Sequence, residues 1–162
     1  MTQKKLKQFL RYNKRTGQFY WRLARHHNPK GMRAGWKNKN HIYIIINRKC
    51  YAAHRLAWLY VHGKWPKEEI DHKDGNGLNN CLSNLRTATR FQQAWNVKVS
   101  KRNKSGLKGA SQHRNVNRKK RWRSRIRAYG KSFWLGYFKT PQEANDAYAS
   151  AAKEHHGKFA RV

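Results

Sequence analysis

Carboxylates are scarce and unevenly placed in this chain, which limits both how it can fold and what it can fold against. Of seven Asp and Glu, set against 38 Lys and Arg, four (Glu68, Glu69, Asp71 and Asp74) fall within seven consecutive residues. Residues 1–67 contain none, and neither do residues 75–142. A formal net charge of +31 opposes compaction through self-repulsion. The natural resolution is a polyanionic partner, nucleic acid first, because each Lys or Arg set against a phosphate releases a condensed counterion. A membrane surface is the second candidate, and the sequence argues against it. There is no long apolar run, no signal-peptide pattern at MTQKKLKQFLRYNKR, and no cationic helix with a broad apolar face.

Charge alone would suit a disordered chain, but 38% hydrophobic and 13% aromatic residues, seven Trp among them, are enough to build cores in 162 residues. Cys50 and Cys81 stand far apart with no CxxC pair. That argues against a Cys-type zinc site, favours a reducing compartment, and leaves each as a simple buried thiol.

The stretch KVSKRNKSG, residues 98–106, is polar, basic and ends in Ser-Gly, so it reads as a linker between a domain at 1–97 and another at 107–162. Lys and Arg outnumber Asp and Glu by 20 to 4 before the linker and by 18 to 3 from its start onward, so both parts should touch the polyanion. In the first part, GQFYWRL and HIYIIINRKCYAA read as strands, the second folded into a hairpin at Asn-Arg-Lys. HRLAWLYVHG reads as a short buried helix stopped by Gly63. LRTAT then reads as a strand and TRFQQAWN as a helix start, with capping-box spacing from Thr89 to Gln92 that leaves Gln93 available to a site.

In the second part, RWRSRIRAYGKSFWLGYF alternates. Trp122, Ser124 and Ile126 share one face, and Arg121, Arg123, Arg125 and Arg127 the other; beyond the turn at Gly130, Phe133 and Leu135 join the apolar face, opposite Ser132 and Trp134. TPQEANDAYASAAKEHHG reads as a helix with Thr140 and Glu143 at capping-box spacing, Pro141 at its first position, and an Ala144–Ala147–Tyr148–Ala151–Ala152 stripe. Four neighbouring arginines repel one another without a counter-anion. The expected use of that face is DNA, with arginines on phosphates or guanine edges and Trp134 packed on sugar or base methyls.

The acidic cluster lies in IDHKDGNGLNNCLSNLRTATRFQQAWN. Carboxylate beside imidazole in a cationic protein suits phosphodiester hydrolysis. The carboxylate, with an amide oxygen, holds a divalent cation on the scissile phosphate, and a neutral histidine takes a proton from the attacking water. Adjacent side chains on an extended strand diverge, so Asp71 and His72 need a distorted strand end to share a site, and Gly75 and Gly77 supply an irregular loop. Calcium-hand spacing fails here. Asp74-Gly75 reads as a tight turn, and His54 as a residue that caps or packs at the start of its helix.

Two resemblances bear on function. HRLAW, IDHKDGN, LNN, SNLR and ATR, in that order over residues 41–97, resemble the HNH nucleases of the phage and intron-encoded homing subgroup. The resemblance implies a ββα-metal fold around one ion, Mg2+ or Mn2+, with Asp71 a metal ligand, His72 the general base and Asn84 bracing loop and base. Gln93 stands at the third metal-site position, on the helix, where Asn or His is usual, and Asn96 one turn later is its alternative. Gly109, RWRSRIR, FWLGYF, the Thr140–Gly157 segment and HGKFA resemble the DNA-binding domain of the plant APETALA-two and ethylene-response-factor families. That implies a three-stranded antiparallel sheet on one helix, read into the major groove through Arg121, Arg123, Arg125, Arg127, Ser132 and Trp134; Arg125 replaces a frequent Glu, so base preference does not carry over.

The expectation is therefore an α+β endonuclease: an N-terminal ββα-metal HNH domain, a basic linker, and a sheet-on-helix DNA-binding domain. It would hydrolyse double-stranded DNA, nicking as a monomer or cutting both strands as a weak dimer. It would need no small-molecule cofactor and no membrane, and would work in the cytoplasm of a bacterial or phage-infected cell. The competing expectation is a DNA-binding protein with a degenerate nuclease site.

Overall fold

The chain begins with a short helix, α1 (Gln3–Phe9), whose start is capped by the Thr2 hydroxyl accepting from the Lys5 N–H. Three short strands follow, β1 (Leu10–Tyr12), β2 (Phe19–Trp21) and β3 (Arg33–Ala34), forming an antiparallel sheet in that order. Next come β4 (Trp36–Asn38), β5 (His41–Ile46) and β6 (Lys49–Ala52), a second antiparallel sheet with β5 central. The β5–β6 turn is the pair Asn47 and Arg48, both at positive φ, the two-residue form that matches strand twist. Helix α2 (Ala53–His62) leaves β6 directly and stops at Gly63 in the left-handed conformation. Then come β7 (Glu69–His72), a 3-10 turn (Leu82–Asn84) and β8 (Leu85–Ala88), with β7 and β8 paired antiparallel.

The remainder comprises α3 (Arg90–Trp95), β9 (Ala110–Gln112), β10 (Trp122–Ala128), β11 (Lys131–Phe138) and α4 (Pro141–His156). This computed structural model describes residues 1–24, 29–113 and 122–162. It divides into two compact units, Met1–Ala88 and Thr89–Val162.

One core organises the N-terminal unit. Alternation in HIYIIIN turns Ile44 and Ile46 inward and leaves Ile45 exposed. Leu56, Ala57 and Leu59 of α2 meet those isoleucines, together with Leu6, Leu10, Tyr12, Phe19 and Trp21 from the first strands. Ile70 and Leu85 tie β7 and β8 into the same cluster, so the strands carrying the acidic segment are anchored by apolar burial.

In the C-terminal unit the sheet order is β11-β10-β9. Ser124, Ile126 and Ala128 are buried, and Ile126 packs with Tyr148, Ala151 and Ala152 of α4. The Thr140 hydroxyl accepts from the Glu143 N–H at 3.1 Å, while the Glu143 carboxylate accepts from the Lys139 N–H. Residues 98–106, expected to be a plain linker, are tied into a turn network. Asn103 Nδ2 donates to the Leu107 carbonyl at 2.8 Å, and Ser105 Oγ to the Ala110 carbonyl at 2.9 Å. Cys50 is exposed on β6 rather than buried, because it lies on the outward side of a two-faced strand; both cysteines are free.

Candidate active site

β7 delivers Asp71 and His72 from a ladder in which Asp71 faces Arg86 and His72 faces Leu85. Arg86 donates through Nε and Nη2 to Asp71 Oδ2, each at 2.8 Å, with both side chains largely buried. A carboxylate removed from water needs such a partner, because desolvation would otherwise favour its neutral form.

His72 is 6% exposed, and its Nε2 lies 3.0 Å from Asn80 Oδ1. An amide oxygen only accepts, so Nε2 is the nitrogen that carries a proton in this contact. Two further imidazoles stand close. The His54 ring centre is 5.2 Å from that of His72, His41 is 5.9 Å from His72, and His41 and His54 are 5.3 Å apart. Burial, with His72, His41 and Arg55 adding repulsion, drives His54 down to about 3; burial and then His72 lower His41 too. Both are neutral at pH 7. His54 does not cap α2, whose N-cap Ala52 has no side-chain bond; it packs into this cluster, and its buried Nδ1 has no hydrogen-bond partner among the described residues.

The loop from Lys73 to Asn84 is held by its own amides and one carboxylate. Asp74 accepts from the Asn76 N–H, Asn79 Nδ2 and Asn84 Nδ2 at 2.8, 2.8 and 3.0 Å. Partial burial pushes the Asp74 carboxyl up, yet those three hydrogen bonds and His72 hold it below the usual range. Asn84 also donates to the Asn79 carbonyl and accepts from the Asp74 N–H. Asn84 thus braces the loop, and Asn80, which the sequence reading passed over, supplies the amide that meets the imidazole. Gly77 passes so close to β5 that a Cβ there would lie 2.1 Å from the Asn40 carbonyl and 2.9 Å from the His41 ring.

The first 20 residues grip the same loop. The Tyr12 hydroxyl donates to the Asn80 carbonyl at 2.6 Å, the Leu82 N–H to the Lys14 carbonyl at 3.0 Å, and Cys81 Sγ to the Arg15 carbonyl at 2.6 Å. Gly17, at φ +70°, lies against the Asn80–Cys81 peptide, where any Cβ would stand 2.3 Å from the Asn80 carbonyl carbon. Sequence reading assigned this region no role.

Gln93 lies on α3, half-buried. The Thr89 hydroxyl accepts from the Gln92 N–H and Gln92 Oε1 from the Thr89 N–H, so the capping box is formed as its spacing indicates. Helical geometry places Gln93 opposite the Phe91–Ala94–Trp95 stripe. Asn96 is buried at the helix end. Among the described residues no group of three or more His, Cys, Asp or Glu is arranged to hold a metal ion.

The model of the HNH endonuclease family matches residues 51–94, the segment bearing His54, Asp71, His72, Asn80, Asn84 and Gln93. Protein 3.8 of Escherichia phage T7 is 38% identical over 109 residues, spanning 67% of this chain and 87% of that protein. The chain belongs to the HNH endonuclease family. An uncharacterized HNH endonuclease of Acanthamoeba polyphaga mimivirus, L560, is 32% identical over 109 residues, 66% of this chain and 54% of that longer protein. No solved structure matches. The HNH match supports a nuclease, and no helix among the described residues is long and apolar enough to cross a membrane.

Beyond the HNH segment, the β10–β11 sheet sets out the second group of candidate residues. Arg125 pairs with Trp134, and Arg127 with Ser132; all four are exposed on the face away from Ile126. Arg123 pairs with Tyr137, and Tyr137 meets Trp134 edge-on at 4.8 Å. A bulge at Leu135 shifts the parity of β11, which puts Tyr137 on the arginine face where strict alternation would turn it inward. Arg121 lies outside the described residues.

Proposed function

We propose that this HNH protein is a metal-dependent DNA endonuclease in which His72 activates the attacking water and Asp71, with Gln93, holds Mg2+ or Mn2+. The observation that carries the reading is the His72–Asn80 contact inside the family-matched segment. In the neutral ring it puts the proton on Nε2, and the ring's orientation is held through Asn80 by Tyr12. A single carboxylate with an amide oxygen fits Mg2+, which keeps several waters and shares coordination with substrate phosphate. When bound, such an ion supplies Lewis-acid stabilisation of the leaving oxyanion. Asp71 and Arg86 form a charge-balanced pair from which the carboxylate can be presented, and Asn84 keeps the loop closed beneath the base. In this reading the nuclease spans residues 1–97, with the ββα-metal fold that the family resemblance implies, and leaves 5′-phosphate and 3′-hydroxyl ends. Origin in a phage or mobile element agrees with viral relatives, and homing-type or nicking activity is part of the proposal.

The C-terminal sheet, with Arg123, Arg125, Arg127, Ser132 and Trp134 on one face, is proposed to bind duplex DNA in the manner of the APETALA-two domain, anchoring the nuclease. A plasmid nicking assay with Mg2+ or Mn2+, run on wild type beside His72→Ala, tests the reading. Nicking by wild type alone supports it. Failure of both, with DNA binding intact, makes the protein one that acts by occupancy.

A further inference from the structure

A cleft of about 630 Å3 in the C-terminal unit has no part in the reading above. It lies among α3, the β10 strand and the end of α4. β9 pairs only with Trp122–Ser124, so from Arg125 onward one edge of β10 has no ladder partner among the described residues. Part of that edge is taken by His156, whose Nε2 lies 3.0 Å from the Arg127 carbonyl. A carbonyl only accepts, so Nε2 carries the proton and Nδ1 the lone pair. His156 is 5% exposed, lines the cleft, and its Nδ1 has no partner among the described residues. A buried acceptor without a donor costs free energy and calls for an occupant with an N–H to give.

Other lining residues narrow the chemistry. Phe91 and Tyr129 line the cleft and are 57% and 67% exposed overall. Tyr129 is set by an edge contact with Trp95 and a hydrogen bond to the His155 carbonyl, which leaves ring surface on which a flat ring can stack. Trp95 is already stacked on His156 at 4.5 Å and stiffens the floor. Arg125 and Arg127 border the cleft along the free edge of β10, with their side chains toward the opposite, exposed face; Lys108 also lines it, and no carboxylate does. The site therefore asks for an aromatic ring with N–H donors that arrives attached to anionic groups. A nucleotide has all three features.

We propose that this cleft receives one nucleobase turned out of duplex DNA, stacked on Phe91 and Tyr129, hydrogen-bonded to His156 Nδ1, with a flanking phosphate on Arg125 or Arg127. The proposal rests on DNA being the partner. Turning a base out is least costly where pairing is already broken, so a bulge or mismatch is the favoured substrate.

The test uses the full chain and two duplexes, one with 2-aminopurine as an unpaired bulge and one with the same base paired. Affinity and 2-aminopurine fluorescence are measured at a stated salt concentration. Wild type should favour the bulged duplex by on the order of tenfold and quench its fluorescence, as expected for base-on-aromatic stacking. The double variant Phe91→Ala, Tyr129→Asn should lose both effects while binding paired duplex unchanged. Both positions are exposed, and Asn tolerates the positive φ of Tyr129. The change also removes the Tyr129 hydroxyl's bond to the His155 carbonyl and its edge contact with Trp95, so unchanged binding of the paired duplex is the control for an intact fold. Phe91→Trp should retain the preference. Equal wild-type affinity for both duplexes, or a preference that survives the double variant, overturns the proposal while leaving the DNA reading intact. Failure to bind either duplex overturns both. Tighter binding of free dAMP than of the bulged duplex assigns the cleft to a free nucleotide instead and overturns its assignment to DNA.

Discussion

Tyr12 and Asn80, 68 residues apart, meet through a 2.6 Å hydrogen bond from phenol to backbone carbonyl, and the Asn80 side chain in turn meets His72. Burial, and then Cys81, push the Tyr12 phenol well up, so it remains a donor across the working pH range. Tyr12→Phe keeps the ring in the core and removes only that bond. Leaving a buried carbonyl unsatisfied should cost about 1–3 kcal/mol in urea unfolding. The nicking rate should fall by about one order of magnitude, because a displaced base loses its alignment, while affinity for DNA is unchanged. A variant that loses stability yet nicks at the wild-type rate would show that Asn80 needs no such anchor.

The Asp71–Arg86 pair makes a different prediction. Arg86→Ala removes the guanidinium paired with a largely buried carboxylate, at a cost of up to about 3–5 kcal/mol. If Asp71 ligates a cation, Mn2+ replaces part of the lost charge. The melting temperature of Arg86→Ala should then rise more steeply with Mn2+ than that of wild type. Asp71→Asn should abolish the Mn2+ response in both backgrounds. Melting curves that ignore Mn2+ throughout would remove Asp71 from the metal site.

His54 links the cluster to pH. Its ordinary value of 6.5 falls to about 3 in the folded chain, where it faces His41, His72 and Arg55. Between those values the unfolded chain binds a proton that the folded chain refuses. Stability should therefore decline as pH drops from about 6.5, by up to about 1.4 kcal/mol per pH unit for this group alone. His41, lowered in the same direction, adds to the slope. Asp74, held below its ordinary value of 3.8, loses its stabilising contribution only at still lower pH. Urea unfolding at pH 7 and pH 4.5 should show a smaller loss for His54→Gln than for wild type. Equal losses would mean that the cluster is not the source.

Local patterns carried the sequence reading a long way. The strand and hairpin character of HIYIIINRKCYAA, the Thr89–Gln92 and Thr140–Glu143 caps and the arginine face of β10 depend on neighbours a few residues apart, and all appear in the structure. Relationships that need the tertiary fold stayed hidden. His41, His54 and His72 come from β5, α2 and β7 and share no short spacing. Asn80 sits in an asparagine-rich run where sequence cannot choose which amide meets the imidazole, and Tyr12 reaches it from another sheet. Tyr137 was missed for a simpler reason: one bulged residue reverses the parity on which a strict alternation argument relies.

That same arginine face separates charge from stacking. Arg125 and Trp134 are paired across β10 and β11 and both exposed, yet they should act on DNA affinity in different ways. If Arg125 neutralises a phosphate, Arg125→Ala lowers affinity most in dilute salt and reduces the slope of log K against log[salt] by about 0.9. Trp134 carries no charge, so Trp134→Ala should lower affinity by a similar factor at every salt concentration and leave the slope alone. Fluorescence anisotropy on one duplex from 50 to 300 mM KCl (roughly the range in which the phosphate contribution changes most) measures both. Parallel lines for wild type and Arg125→Ala would mean that the arginine touches base edges or solvent and not the backbone. A changed slope for Trp134→Ala would mean that the tryptophan positions the arginines around it.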